Sequence, residues 1–409
     1  MASDHLTEKA EAYLHKLCVE IPNRRVGSEG NRAATDFFAQ TVSSFGFRTE
    51  SPAFDCMDWH QEGAQLTTDH TSFEVLVSPY SLRCQVRAPL VVVSTVEELD
   101  EADLSGKMAL LRGDIAKEQL MPKNFSFYNP DHHKRIIGLL EAKQPSAIIA
   151  ATSRDVEMVG SLYPFPLIED GDFDIPSVYM TEEEGKRLAE YAGHECALES
   201  RATRLPATGC NVIARQGDDP DRRVVLFAHI DAKTGTPGAI DNASGVTILL
   251  LLAELLASYS GHLQIEIVAL NGEDYFSAPG EQQYLVLNAG RFDTIVLGIN
   301  LDGVGYYKGN GAYSLYGCPP DLASSIRTVF SAYEGLVEGG PWYQGDHGLF
   351  LMNQRPALAI TSELLAELLA EIIHSPKDTP EIVDAARLAQ VALALRDLVL
   401  HLSRASSVS

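Results

Sequence analysis

Five short segments of this 409-residue chain gather histidines and acids. In order they are His229-Ile230-Asp231, Gly238-Ala239-Ile240-Asp241-Asn242, Asn271-Gly272-Glu273-Asp274, Asn300-Leu301-Asp302-Gly303 and His374-Ser375-Pro376-Lys377-Asp378-Thr379. Imidazole and carboxylate donors in a mixed N/O set suit zinc, with manganese or cobalt as alternatives. Two His and three Asp suffice for two cations if one carboxylate bridges them. Paired cations about 3.5–4 Å apart polarise a carbonyl and make water acidic. A further carboxylate must take the proton from that water, and the neighbours Glu273 and Asp274 offer one residue for each job. His229 needs a partner to fix its tautomer. Asp231 lies two residues on, where side chains of an extended segment share a face.

Taken singly, none of these segments persuades. H-x-D is usually a surface pair, and E-D in an acidic protein is usually a solvated loop. His374 fits equally the lead-in to a helix that Asp378 caps and Pro380 opens. Their convergence carries the reading. Each follows or ends an expected strand, and ligands of open α/β sheets sit beyond the carboxyl ends of strands.

The elements that would do this positioning begin near residue 211. A continuous apolar run over 224–228 predicts a strand buried on both faces. A helix is expected over 245–258, strands over 263–270 and 294–301, a helix over 323–333, a strand over 357–361 and a closing helix over 380–402. This alternation gives an α/β fold: a mixed, mainly parallel sheet flanked by helices. Amphipathic helices are expected over 6–21 and 31–45. They have no sheet of their own, so they should pack on the C-terminal α/β elements. Between them and that sheet the character changes near Gly63. Short apolar segments at 73–77, 90–93, 108–111, 147–151 and 177–179 alternate with Pro and Gly, and helices should be scarce. The expectation is a discontinuous catalytic domain of residues 1–62 and 203–409, with a β-rich insertion at 63–202.

Composition bounds the partners. A chain 45% hydrophobic and 22% charged is ordinary globular material. Lys and Arg number 32 against 56 Asp and Glu, a net charge of −24. That surface repels phosphate backbones and anionic lipid heads, so neither nucleic acid nor membrane is an expected partner. It suits metal ions and substrates with a free amine. Six cysteines (Cys18, Cys56, Cys84, Cys196, Cys210, Cys318) include no C-x-x-C pair, so buried thiols are expected, with a Cys196–Cys210 bridge as the alternative. The opening MASDHLTEKAEAYLHK lacks a basic start and an apolar stretch, so no signal peptide is visible. The expected placement is cytoplasmic, with secretion as the alternative.

At the five segments the sequence resembles the M28 family of zinc peptidases. The matching stretches are AHIDAKTGTPGAIDNASGV, NGEDY, NLDGVG and HSPKDTPEIVD, within residues 210–409. The resemblance implies an aminopeptidase that takes peptides with a free N-terminus and uses two zinc ions. His229 and Asp302 would hold one ion, Asp274 and His374 the other, and Asp241 would bridge them. Glu273 would be the general base, and Asp231 would orient His229. Gly345-Asp346-His347 resembles a family segment near the substrate, which implies a hydrogen bond from His347 to substrate or to the tetrahedral oxyanion. The stretches APLVVV, LSGKMALLRG and DIPSV resemble a protease-associated (PA) domain, which implies a lid without catalytic residues. Two departures stand out: Asp274 replaces the Glu of many relatives, and the stretch 275–284 is longer than usual. Alternatives are a metallo-carboxypeptidase or amidohydrolase on the same metal core, glutaminyl cyclisation on one zinc, or a non-catalytic receptor or scaffold. A carboxypeptidase would need a cationic anchor, for which Arg291 and Arg355 are the candidates.

Overall fold

The computed structural model describes residues 2–21, 23–125, 129–154, 162–343 and 345–405. The chain forms two compact units, Met1–Cys56 with Thr208–Ser409, and Met57–Ala207.

The first unit is built on an eight-stranded sheet in the order Arg48–Glu50, Val212–Gln216, Leu263–Leu270, Asp219–His229, Ile295–Leu301, Ala357–Ser362, Gly311–Tyr316, Leu336–Glu338. Its four central strands, Leu263–Leu270 to Ala357–Ser362, run parallel. Every residue of Leu263–Leu270 and of Ala357–Ser362 is buried, as strands covered on both faces must be. Parallel alignment stacks four carboxyl ends side by side, and that edge carries the site.

Leu6, Ala10, Leu14 and Leu17 form one buried stripe on the N-terminal helical segment. They join Val246, Leu250, Leu388 and Leu395 in the main core, so the N-terminal helices do pack on the α/β elements. Glu29–Ser44 begins where Ser28 accepts the Asn31 N–H. The closing helix differs from expectation. Pro380–Ile382 forms a separate short turn, and Ala385–Ala405 starts after Asp384, whose carboxylate accepts the Ala386 N–H at 3.0 Å. The strands Val212–Gln216, Gly311–Tyr316 and Leu336–Glu338 were not anticipated from the pattern.

The second unit has its own eight-stranded sheet, in which Leu90–Val93 of the strand Cys84–Val93 pairs in parallel with Met108–Leu111, and Met108–Leu111 in turn with Ala147–Thr152. Met108 and Leu110 face one core, Ala109 and Leu111 another. Helices are less scarce than expected: Val96–Glu101, Asp131–Lys143 and Glu182–Ala189 flank the sheet. The polar opening of Asp131–Lys143 hides its buried face, which includes Ile136, Ile137 and Leu140.

All six cysteines are free thiols. A single extended strand, Glu195–Cys210, holds Cys196 and Cys210 too far apart to bridge. Among the described residues no helix is long and apolar enough to cross a membrane.

Candidate metal centre

His229 is the last residue of its strand and is 1% exposed. Glu273 and Asp274 follow Leu263–Leu270, and Asp302 follows Ile295–Leu301. Beyond Ala357–Ser362 the chain passes through the helix Leu365–Glu371 and reaches His374 in the left-handed region at φ +63°. Asp241 lies on the loop that leads into the buried helix Ser244–Leu255. Asn242 anchors that loop: its amide donates to the Leu301 carbonyl at 2.7 Å and its carbonyl accepts the Gly245 N–H at 3.0 Å.

These elements bring the predicted ligands together. His229 Nε2 stands 3.0 Å from Asp241 Oδ1 and 3.7 Å from Asp302 Oδ1. His374 Nε2 stands 3.0 Å from Asp241 Oδ2 and 2.9 Å from Asp274 Oδ1. Glu273 Oε2 is 4.0 Å from His229 Nε2. Donors bound at about 2.0–2.2 Å in a tetrahedral or similar shell lie about 3–3.5 Å from one another, close to the 2.9–3.7 Å found here. His229 Nε2 and Asp274 Oδ2 are buried without a hydrogen-bond partner among the described residues, and ligand atoms of His229, Asp241 and Asp274 lie within 4.8 Å of one another. The donor set fits divalent cations.

The electrostatics agree. Burial pushes the His374 ring down, but Asp274 and Asp241 outweigh it and lift the imidazole to about 10. His229 is raised in the same way by its acidic neighbours, against burial. Without a cation the cluster captures protons, which a metal must displace. Burial foremost lifts Glu273 well above the usual carboxylate range, aided by Asp274, Asp346 and Asp302. Glu281 and Asp346, which the sequence reading left out of the site, form a buried carboxyl pair beside this group, and burial pushes Asp346 up to about 6.

Five further residues have partners that bear on the roles considered for them. Asp231 Oδ1 stands 3.8 Å from His229 Nδ1, longer than a hydrogen bond. Its carboxylate instead accepts the Gly272 and Asp274 N–H groups at 2.6 and 3.1 Å, and so shapes the turn that carries Glu273. His347 is fully buried, and its Nε2–H donates to the Trp342 carbonyl at 2.8 Å. The neutral ring then keeps only an acceptor at Nδ1 and has no N–H for an oxyanion. Arg355 donates to the Ile295 carbonyl and Arg291 to that of Pro220, both at the amino ends of parallel strands. The site lies at the carboxyl ends, a strand length away, so neither arginine is its carboxylate anchor. Asp378 does not cap the closing helix but binds the Asp241 loop.

A second cluster, Glu118, His132 and His133, lies in the unit Met57–Ala207. There the Met121 N–H donates to His133 Nδ1 at 3.1 Å, which puts the neutral ring's proton on Nε2, 3.3 Å from Glu118. A ring protonated at Nε2 cannot ligate through it, so this cluster is held by hydrogen bonds and charge.

A parallel α/β sheet whose strand ends bring together two imidazoles, three carboxylates in metal-ligand spacing and one further acid fits a metallohydrolase. Residues 211–399 match the sequence model of peptidase family M28, and this stretch makes the protein a hydrolase acting on peptide bonds. A probable lipoprotein aminopeptidase of Mycobacterium tuberculosis, LpqL, is 26% identical over 80% of this chain and 67% of its own length. A probable leucine aminopeptidase 2 of Aspergillus fumigatus is 25% identical over 82% of this chain and 67% of its own. The aminopeptidase from Aneurinibacillus sp. strain AM-1 shares the fold at 21% identity and a TM-score of 0.74, over 96% of this chain and 93% of that one.

Proposed function

We propose that the protein is a zinc aminopeptidase that removes N-terminal residues from peptides with two zinc ions and a Glu general base. The observation that carries this reading is Asp241, whose two oxygens face different histidines at 3.0 Å each. His229 and Asp302 would hold one ion, His374 and Asp274 the other, with Asp241 between them. When bound, the ions polarise the scissile carbonyl and lower the pKa of water. Glu273, beside the proposed ligands and partly exposed, takes the proton as water oxygen adds to the carbonyl carbon. It then delivers that proton to the departing amine as the C–N bond breaks. The net charge of −24 favours a substrate bearing a free ammonium. The printed names of the two relatives above point the same way. The location of Arg291 and Arg355 counts against a carboxypeptidase.

The unit Met57–Ala207 we read as PA-like, on the three stretches quoted above and the parallel strands they contribute.

The test is a panel of aminoacyl anilides with free amines against N-blocked peptides with free carboxylates, with and without chelator. Hydrolysis should be confined to free-amine substrates, disappear with chelator and return with zinc. Equal cleavage of N-blocked substrates would overturn the aminopeptidase reading.

A further inference from the structure

Asp241 ends a five-residue segment, 237–241, that two buried charged side chains grip along its two hydrogen-bonding edges. Arg24, 1% exposed, holds the carbonyl edge. Its Nη1 donates to Pro237 at 2.9 Å and to Leu17 at 2.7 Å, its Nη2 to Gly238 at 2.8 Å, and its Nε to Ile230 at 3.1 Å. Asp378, fully buried, holds the N–H edge. Its Oδ1 accepts from Ile240 at 2.6 Å, its Oδ2 from Asp241 at 3.1 Å, and its main-chain carbonyl from Ala239 at 3.3 Å. Gly238 at φ +60° has no room for a side chain, since a Cβ would lie 2.8 Å from Arg24 Nη2.

Burying two charged groups is costly unless their hydrogen bonds are met. Here every bond except the one from Arg24 to Leu17 goes to a segment that carries a proposed ligand or adjoins one. Ile230 follows His229, 237–241 ends in Asp241, and Asp378 lies four residues past His374. We propose that Arg24 and Asp378 are positioning residues that set the spacing of His229, Asp241 and His374, so that metal affinity depends on an arginine from the N-terminal segment. This rests on the dinuclear reading above.

The experiment titrates metal-free protein with Co²⁺, following the visible absorption band, in wild type, Arg24→Lys and Asp378→Asn. Lysine keeps the charge but loses the guanidinium fork, and asparagine can accept only one of the two side-chain-bound N–H groups. Arg223→Lys is the matched control. Arg223 is equally buried but binds Thr294, Glu266 and Asn288 toward the amino ends of the strands. Expected is an affinity loss of about 10–100-fold with a changed band in both test variants, and unchanged affinity in the control. If the test variants lose only resistance to urea, as the control does, and bind Co²⁺ like wild type, the proposal is wrong. Should Arg24→Lys not fold, the nearly isosteric Asp378→Asn decides alone. Wild type taking up no pair of ions would sink the dinuclear reading first, a result visible before any variant is made.

Discussion

The carboxylate of Asp231 accepts the main-chain N–H of Asp274 at 3.1 Å. It therefore acts on the turn that carries the proposed base and a proposed ligand more directly than on the His229 ring. In Asp231→Asn one of the two N–H groups loses its acceptor. We expect kcat/KM to fall about 10–100-fold, with the His374–Asp274 ion weakened more than its partner. Stepwise metal titration checks this, and selective loss of the His229 ion would restore a ring-orienting role.

Glu273→Gln keeps the shape of the side chain and removes its basicity. Both ions should stay bound while kcat drops by about 10²–10⁴-fold. Metal content and turnover measured on one preparation decide it, because substantial residual turnover would take the base role from Glu273.

Chelation should abolish activity without unfolding the protein, since the core of the first unit is independent of the ligands. Adding zinc back at about 100 times its Kd should stabilise the fold by ~2.7 kcal/mol. A calorimetric melting point that ignores zinc would argue against a preformed site.

The buried His347 supplies a pH test. Burial pushes its imidazole from 6.5 down to about 4. Between those values the unfolded chain binds a proton that the folded chain refuses, so stability falls as the pH drops through this window. The loss reaches ~3 kcal/mol near pH 4 and vanishes above 6.5. Urea unfolding of metal-free protein at pH 7 and 5 should show a shallower pH slope in His347→Gln. Equal slopes would mean that the folded ring accepts the proton freely.

His229, Asp274 and Asp302 were legible as candidates because each ends or closely follows an apolar run that reads as a buried strand, and parallel strands put such ends side by side, whereas Asp241 and His374 lie on loops beside helices and were marked only by their local residue patterns. Arg24 was not legible. It stands in a turn-rich Arg24-Arg25-Val26-Gly27 stretch, arginine is almost never fully buried, and two of its acceptors lie 206 and 214 residues away. The partners of Asp378 were hidden for a related reason. The local D-T-P-E pattern fits a helix start, whereas its side-chain partners, Ile240 and Asp241, lie 138 and 137 residues earlier. Gly311–Tyr316 escaped because its small and polar residues give no clear alternation, although the sheet buries most of them.

The first unit is interrupted between Cys56 and Thr208. During synthesis the apolar stripe of Leu6, Ala10 and Leu14 must therefore wait for its covering partners until some 150 intervening residues have emerged. At about 5–20 residues per second that is a delay on the order of ten seconds or more. The intervening unit holds its own two cores and is free to complete first. The early helices meanwhile leave an apolar face without its final cover.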